Sequence, residues 1–198
     1  MPHIDYYFAA VSPFVYLAGQ RLEEIGARHG ASISYKPLDP AGLFARTGGQ
    51  PLAQRHESRR AYRLQELRRQ SRKHGLMLNE QPLFWPVNPA PSGYAIIAAQ
   101  AAGGGDLGAL THGLARACWA ENRDIADDAV IASVMEQAGF DPAVAQRGML
   151  AAAETYAVNL EEAVSRGVFG VPFYLVDGEG FWGQDHLQDL DLHLSGKL

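Results

Sequence analysis

The sequence predicts an α/β fold in which a β-α-β half and a β-β-α half flank a long all-helical segment. Short apolar runs near both ends of the 198-residue chain are typical of buried strands. Helical periodicity separates the first two runs, and a turn rich in glycine separates the last two. Between residues 41 and 166 the pattern is helical, with no convincing strand. We therefore expect one domain formed by residues 1–40 and 167–198, with residues 41–166 inserted as a helical domain.

The opening half is predicted to be strand, helix and strand. Residues 4–8 form a short segment rich in aromatics, as in a buried strand. Ser12-Pro13 follows, and these residues suit the cap and the first turn of a helix. Helical spacing continues to Gly30, and residues 32–36 form the second strand. A right-handed crossover makes the two strands parallel.

Six helices are predicted for the middle of the chain, and strands return at its end. The helices cover residues 58–74, 95–102, 107–122, 127–138, a segment that begins at Asp141-Pro142, and residues 150–165. Prolines between residues 75 and 93 favour an ordered loop. Residues 173–176 and a strand starting at Phe181-Trp182 form a hairpin around a turn at residues 177–180, and a leucine-lined helix ends the chain.

Composition and charge argue against several classes of function. The chain carries 17 Lys and Arg against 22 Asp and Glu, and its net charge of -5 is a poor match to nucleic acid. We expect no membrane span and no secretory signal, because no apolar run is long enough. The single cysteine, Cys118, excludes a CxxC pair and is expected to be a buried small hydrophobe. The histidine spacing predicts no metal site, and the low cysteine content suits the cytoplasm.

Ser12 stands where a strand ends and a helix begins, a place that favours a bound anion. A cysteine there would have a lowered pKa. A serine hydroxyl can instead donate a hydrogen bond to a thiolate that a ligand supplies. The alternative is that Ser12 only caps the helix.

Two further motifs lie on either side of the predicted hairpin. Val171-Pro172 begins a strand with a proline, which cannot donate to the ladder. A cis bond there would leave the backbone of Val171 free to pair with an extended peptide, whereas a trans proline starting an edge strand is the alternative. After the hairpin, Gln184 and Asp185 could hold the ammonium and carboxylate groups of a small zwitterion, or could form a capping pair.

A basic helix and a proline-rich loop could form the rest of a binding site. Residues 55–73 hold eight of the 17 Lys and Arg residues, and Arg55 or Arg59 could clamp a carboxylate. A solvated helix face is the alternative for most of these arginines. Trp85 and Asn88 could line a pocket for an aromatic substrate, although aromatics in such a loop equally serve as core.

These motifs together resemble the 2-hydroxychromene-2-carboxylate isomerase family. The similarity covers almost the whole chain. It includes Ser12-Pro13-Phe14-x-Tyr16-Leu17-Ala18, the arginine-rich helix with Tyr62, Gly167-Val168-Phe169-Gly170-Val171-Pro172, and Phe-Trp-Gly-Gln-Asp after the hairpin. The family consists of thioredoxin-fold proteins with an inserted helical domain, related to the kappa class of glutathione transferases. The resemblance therefore implies a thioredoxin-like fold.

The resemblance also implies glutathione as cofactor and a cis-trans isomerisation of an aromatic acid by reversible thiolate addition. Ser12 then corresponds to the serine that hydrogen-bonds the glutathione sulfur. Val171 corresponds to the residue before a cis-proline whose backbone pairs with the tripeptide, and Gln184 and Asp185 to the pair that holds its γ-glutamyl end. A homodimer is a further implication.

Other functions stay open at this point. A kappa-like glutathione transferase would use the same site and release the thiolate adduct. A non-enzymatic peptide- or thiol-binding module is a third class, because parts of the family pattern differ: Ala53-Gln54 stands where the isomerases have an asparagine, and Phe8-Ala9-Ala10 lacks an acidic residue. A disulfide oxidoreductase is the least favoured, since Ser12 occupies the place of its first cysteine.

Overall fold

A four-stranded sheet with the strand order β2-β1-β3-β4 forms the centre of the protein. A computed structural model describes residues 1–198. The strands are β1 (His3–Phe8), β2 (Ser32–Pro37), β3 (Phe173–Val176) and β4 (Glu179–Trp182). β1 pairs in parallel with β2 and antiparallel with β3, and β3 pairs antiparallel with β4. The parallel pairing of the first two strands is as the crossover rule predicts.

Nine α-helices surround this sheet. They are α1 (Pro13–Ala18), α2 (Arg21–His29), α3 (Pro40–Thr47), α4 (Glu57–His74), α5 (Ala90–Ala102), α6 (Leu107–Trp119), α7 (Asp128–Gln137), α8 (Ala143–Ser165) and α9 (Leu187–Leu194). Two short 3₁₀ turns, Leu52–Gln54 and Gln184–His186, lie in the connections. None of the helices is both long and apolar enough to cross a bilayer.

The prediction of a single helix between the first two strands is wrong, because the helix is broken at Gly19. That glycine has φ 60° and ψ -139°, which ends α1 before α2 begins. Arg21 compensates for the break: its Nε donates to the carbonyl of Ala18 at 3.0 Å, and its Nη2 donates to that of Leu17 at 2.9 Å. The carbonyls at the end of α1 are thus satisfied by a side chain.

The prediction of two separate helices after residue 141 is also wrong, because this segment forms the single helix α8. Gly148 lies within it and does not interrupt it. A Cβ atom there would come within 2.8 Å of the Cβ of Ala98, so glycine permits the close packing of α8 on α5. In the hairpin, the turn is confined to Asp177-Gly178, and β4 already begins at Glu179.

Alternating residues of β1 face two separate cores. Ile4, Tyr6 and Phe8 belong to a large cluster that includes α1, α6 and α9. Tyr7 belongs to a smaller cluster on the opposite face, where Ala163 of α8 packs. The last turns of α8 thus support the sheet directly. The division of the chain at residues 41 and 166 into two domains stays a prediction.

A network of charged side chains lies beside the smaller core. Asp5 and Lys36 come from β1 and β2, and Glu162 and Arg166 from the end of α8 and the residue after it. The ammonium of Lys36 lies 2.7 Å from Glu162 and 3.2 Å from Asp5. The guanidinium of Arg166 lies 2.5 Å from Asp5 and 2.9 Å from Glu162, and the hydroxyl of Tyr7 donates to Glu162 at 2.8 Å. This network fastens α8 to the sheet.

Candidate active site

The sheet topology brings three of the predicted motifs to one end of the strands. β1 runs towards this end, and its Tyr7 pairs with Phe173 near the start of β3. Phe173 in turn pairs with Trp182 at the end of β4. Ser12 follows β1, Val171-Pro172 precedes β3, and Gln184-Asp185 follow β4. The helix α1 contacts the 3₁₀ turn Gln184–His186, which completes the cluster.

The hydroxyl of Ser12 is available for a ligand. The Ser12 backbone occupies the cap position of α1, but its side chain makes no capping hydrogen bond and no other hydrogen bond within the chain. The residue is partly exposed. Of the two functions considered for Ser12, side-chain capping therefore does not occur.

The backbone before Pro172 is also without partners. The Val171–Pro172 bond is cis, so the alternative of a trans proline is wrong. Neither the N–H nor the C=O of Val171 forms a hydrogen bond within the chain, and the residue is partly exposed. The next carbonyl, that of Pro172, accepts a hydrogen bond from the N–H of Gly183 at 2.9 Å, which ties the two motifs together.

Gln184 and Asp185 point in different directions. Gln184 is 1% exposed, and its side-chain oxygen accepts a hydrogen bond from Arg21. Its side chain is thus already engaged within the chain, and its direct contact with a ligand stays a prediction. Asp185 is exposed and forms no ion pair. A Cβ atom on Gly183, whose φ is 101°, would lie 2.5 Å from an oxygen of Asp185, so glycine leaves room for this carboxylate.

Two tryptophans connect the proline-rich loop to Ser12. The ring centroids of Trp85 and Trp119 are 5.8 Å apart. The indole N–H of Trp119 donates to the carbonyl of Val11, directly before Ser12, at 3.1 Å. Trp119 is 1% exposed, whereas Trp85 is only partly buried. The structure therefore brings Trp85 into the neighbourhood of Ser12 and leaves part of it accessible.

Sequence reasoning missed Arg63, which lies beside these tryptophans. Its guanidinium carbon is 5.7 Å from the ring centroid of Trp85 and 5.9 Å from that of Trp119. Burial, and secondly the charge of Arg55, lower the pKa of Arg63 to about 10. Helical spacing could have identified it, since Arg63 lies four and seven residues before the buried Leu67 and Gln70.

Arg55 and Asn88 are less directly placed. The Nε of Arg55 donates to the carbonyl of Gln50 at 2.8 Å, and its guanidinium lies over the ring of Phe44 at 6.0 Å. The side-chain oxygen of Asn88 accepts a hydrogen bond from the N–H of Ala90 at 3.1 Å, which stabilises the start of α5. Direct contact of either residue with a substrate stays a prediction.

Cys118 takes no part in this site. It is 1% exposed, as expected for a small hydrophobe, and burial raises the pKa of its thiol to about 12. No group of three or more His, Cys, Asp or Glu side chains is arranged as metal ligands.

Residues 3–195 of the chain match the family model of the DSBA-like thioredoxin domain. The chain belongs to this family. The predicted thioredoxin-like fold is therefore confirmed. This DSBA-like protein combines the four-stranded sheet with nine α-helices.

Individual relatives and solved structures agree with this assignment. A 2-hydroxychromene-2-carboxylate isomerase from Sphingobium xenophagum is 29% identical over 194 residues, which cover 96% of this chain and 97% of that protein. A solved structure of a 2-hydroxychromene-2-carboxylate isomerase has a TM-score of 0.78 and 25% identity, covering 98% of this chain and 95% of that one. The resemblance that the sequence motifs indicate is confirmed, and these findings support an isomerase.

A third likeness shows the fold alone. The cytosolic disulfide reductase DsbM from Pseudomonas aeruginosa, solved with GSH, has a TM-score of 0.69 and 18% identity, and the match covers 98% of each chain.

Proposed function

We propose that this protein is a glutathione-dependent cis-trans isomerase acting on 2-hydroxychromene-2-carboxylate or a similar aromatic unsaturated oxo-acid. The isomerase relatives supply the reaction class. The observation that carries the proposal is the pair of unsatisfied groups at one end of the sheet. The Ser12 hydroxyl and the Val171 peptide both lack partners within the chain, and both suit a thiol-bearing peptide.

The residues at this end of the sheet fit glutathione group by group. The free N–H and C=O of Val171 can pair with an extended tripeptide in the way that a strand is added to a sheet. The exposed carboxylate of Asp185 can accept hydrogen bonds from the ammonium group of glutathione. The buried Gln184 and the partly exposed Arg21 hold the turn that carries Asp185, so they act as positioning residues.

Bound glutathione supplies a thiolate that adds reversibly to a conjugated carbon of the substrate, so that the former double bond can rotate. The role of Ser12 is to donate a hydrogen bond to that sulfur and favour its ionised form. A free thiol has a pKa of about 8.5, so at pH 7 only a few per cent is ionised. Each unit by which the site lowers that pKa corresponds to about 1.4 kcal/mol of preference for the thiolate.

A disulfide oxidoreductase activity does not fit the chain. Ser12 cannot form a disulfide, and the only thiol, that of Cys118, is buried and protonated. Reduced glutathione is thus the thiol that the proposal requires.

Calorimetric titration with reduced glutathione tests this proposal. We expect saturable binding, with proton release on binding at pH 7 because the site favours the thiolate. S-Methylglutathione is the matched control, since it keeps the peptide and removes the ionisable thiol. It should bind without proton release. Absence of binding up to millimolar glutathione would overturn the proposal and favour a binding module for a different ligand.

Replacing Asp185 with asparagine is expected to weaken glutathione binding by about tenfold, because a charged hydrogen bond to the ammonium group becomes a neutral one. Asp177→Asn is the matched control. Asp177 is equally exposed, but it lies in the hairpin turn at the opposite end of β3 and β4. Calorimetry measures both variants. Equal loss of affinity in both would indicate an effect of net charge and contradict a direct contact.

A further inference from the structure

Arg63 is a partly buried cation without a counter-charge. It forms no ion pair and no side-chain hydrogen bond within the chain, although it is only partly exposed. Two other arginines of α4 are paired, Arg68 with Glu80 and Arg69 with Glu66. The remaining arginines of α4 have no ion pair but are exposed to solvent: Arg59, Arg60 and Arg72. Leaving a desolvated guanidinium unpaired is costly, so this arrangement suits a site where an anion arrives from outside the chain.

The surroundings of Arg63 favour a flat, aromatic anion. The rings of Trp85 and Trp119 both lie within 6 Å of its guanidinium. These cation–π contacts hold the planar group in a fixed orientation. Trp119 is fully buried and supports the arrangement, while Trp85 is partly exposed and can contact a ligand ring. A fixed guanidinium binds a carboxylate through two parallel hydrogen bonds.

The position of Arg63 relates this anion site to the proposed reaction. Trp119 is bonded to Val11, so the tryptophans and Arg63 adjoin the loop that carries Ser12. The helices α1 and α4 also pack against each other. An acid bound at Arg63 would therefore lie near the loop that carries Ser12. Arg55 adds positive charge from nearby, but its Nε is already used by Gln50.

We propose that Arg63 is the residue that binds the substrate carboxylate, and that it selects planar aromatic acids over their neutral analogues. The inference rests on the proposed function for the identity of the substrate, and it moves the carboxylate contact from Arg55 to Arg63. Trp85 provides the surface for the ring, and Trp119 positions the guanidinium.

Binding of two unreactive probes tests this inference directly. Chromone-2-carboxylate has a flat ring system and a carboxylate, and chromone-2-carboxamide is its neutral isostere. Tryptophan fluorescence or calorimetry gives both affinities. We expect the wild-type protein to prefer the carboxylate. Arg63→Gln should lose about 10- to 100-fold in carboxylate affinity while its amide affinity changes little, because two charged hydrogen bonds are lost. Arg63→Lys should fall between the two.

Arg72→Gln is the matched control, because Arg72 is exposed, forms no ion pair and lies nine residues away, on the opposite face of α4. It should retain the wild-type preference. Glutathione titration of Arg63→Gln separates the two proposals, since tripeptide affinity should stay unchanged. The inference would be overturned if the wild-type protein bound both probes with equal affinity. It would also be overturned if Arg63→Gln preferred the carboxylate as strongly as the wild-type protein does. Loss of glutathione binding in this variant would overturn it as well, and would assign Arg63 to the tripeptide.

Discussion

Replacing Ser12 with alanine is expected to lower isomerase turnover at pH 7 by about 10- to 100-fold. The variant loses the hydroxyl that favours the thiolate, so the pKa of the bound thiol returns towards about 8.5. The defect should therefore shrink as the pH rises above that value and the thiol ionises without help. Turnover measured between pH 6.5 and pH 9.5 with saturating glutathione gives the result.

Two controls distinguish this effect from damage to the fold. The Ser12 hydroxyl has no partner within the chain, so the free energy of unfolding should change by less than about 0.5 kcal/mol. Ser12→Thr keeps a hydroxyl and should recover much of the lost turnover. Full turnover of Ser12→Ala at pH 7 would show that Ser12 does not stabilise the thiolate. A turnover defect of the same size at every pH would show the same.

Replacing Lys36 with methionine is expected to lower the free energy of unfolding at pH 7 by about 2–3 kcal/mol. Lys36 is 19% exposed and contacts two carboxylates, Asp5 and Glu162, of which Asp5 is 12% exposed. Without the ammonium group, Arg166 is the only cation that both carboxylates share, and Tyr7 still donates a hydrogen bond to Glu162. The expected loss of unfolding free energy is smaller than the loss on breaking a fully buried ion pair, because Arg166 remains and Glu162 is 30% exposed.

The pH dependence of this loss follows from the two carboxyl groups. Burial tends to raise the pKa of Asp5, but Arg166 and Lys36 outweigh it and hold that pKa below its ordinary value. For Glu162, Lys36, Tyr7 and Arg166 likewise outweigh burial and lower the pKa. A carboxyl with a lowered folded pKa stabilises the fold above its unfolded pKa, and this contribution is lost as the pH falls through the folded value.

The difference between wild type and Lys36→Met should thus be widest near pH 7 and should narrow below about pH 4. Urea unfolding at pH 7 and pH 3 measures it. Lys73→Met is the matched control, because Lys73 is exposed and forms no ion pair, so it should stay within about 0.5 kcal/mol of wild type. An undiminished difference at pH 3 would show that lost packing, and not charge, causes the effect.

Local sequence patterns predicted most of the fold because strands and caps depend on neighbouring residues. The apolar runs of β1 and β3 and the helix α4 lie where periodicity places them. The errors arose where a particular side-chain hydrogen bond or a close helix–helix contact decides the outcome. The break at Gly19 depends on Arg21 satisfying free carbonyls, and α8 continues through Gly148 because α5 packs closely against it.

The candidate site shows the same division. Ser12, Val171 and Asp185 were predicted because their motifs survive in the sequence, and the paired strands bring them to one end of the sheet. The hydrogen bond between Gln184 and Arg21 could not be predicted, because Arg21 precedes Gln184 by 163 residues and no local pattern relates the two. Arg63 was overlooked because it is one of several arginines in α4, and only the fold shows which of them faces the tryptophans.

Conversion of 2-hydroxychromene-2-carboxylate, followed spectroscopically with thiol-free protein, tests the central claim most directly. The account predicts negligible conversion without reduced glutathione, saturable conversion as it is added, and none with S-methylglutathione. The glutathione should be recovered unchanged. Equal conversion with and without glutathione would contradict the claim. So would accumulation of a glutathione conjugate in place of the isomer, which would identify a transferase.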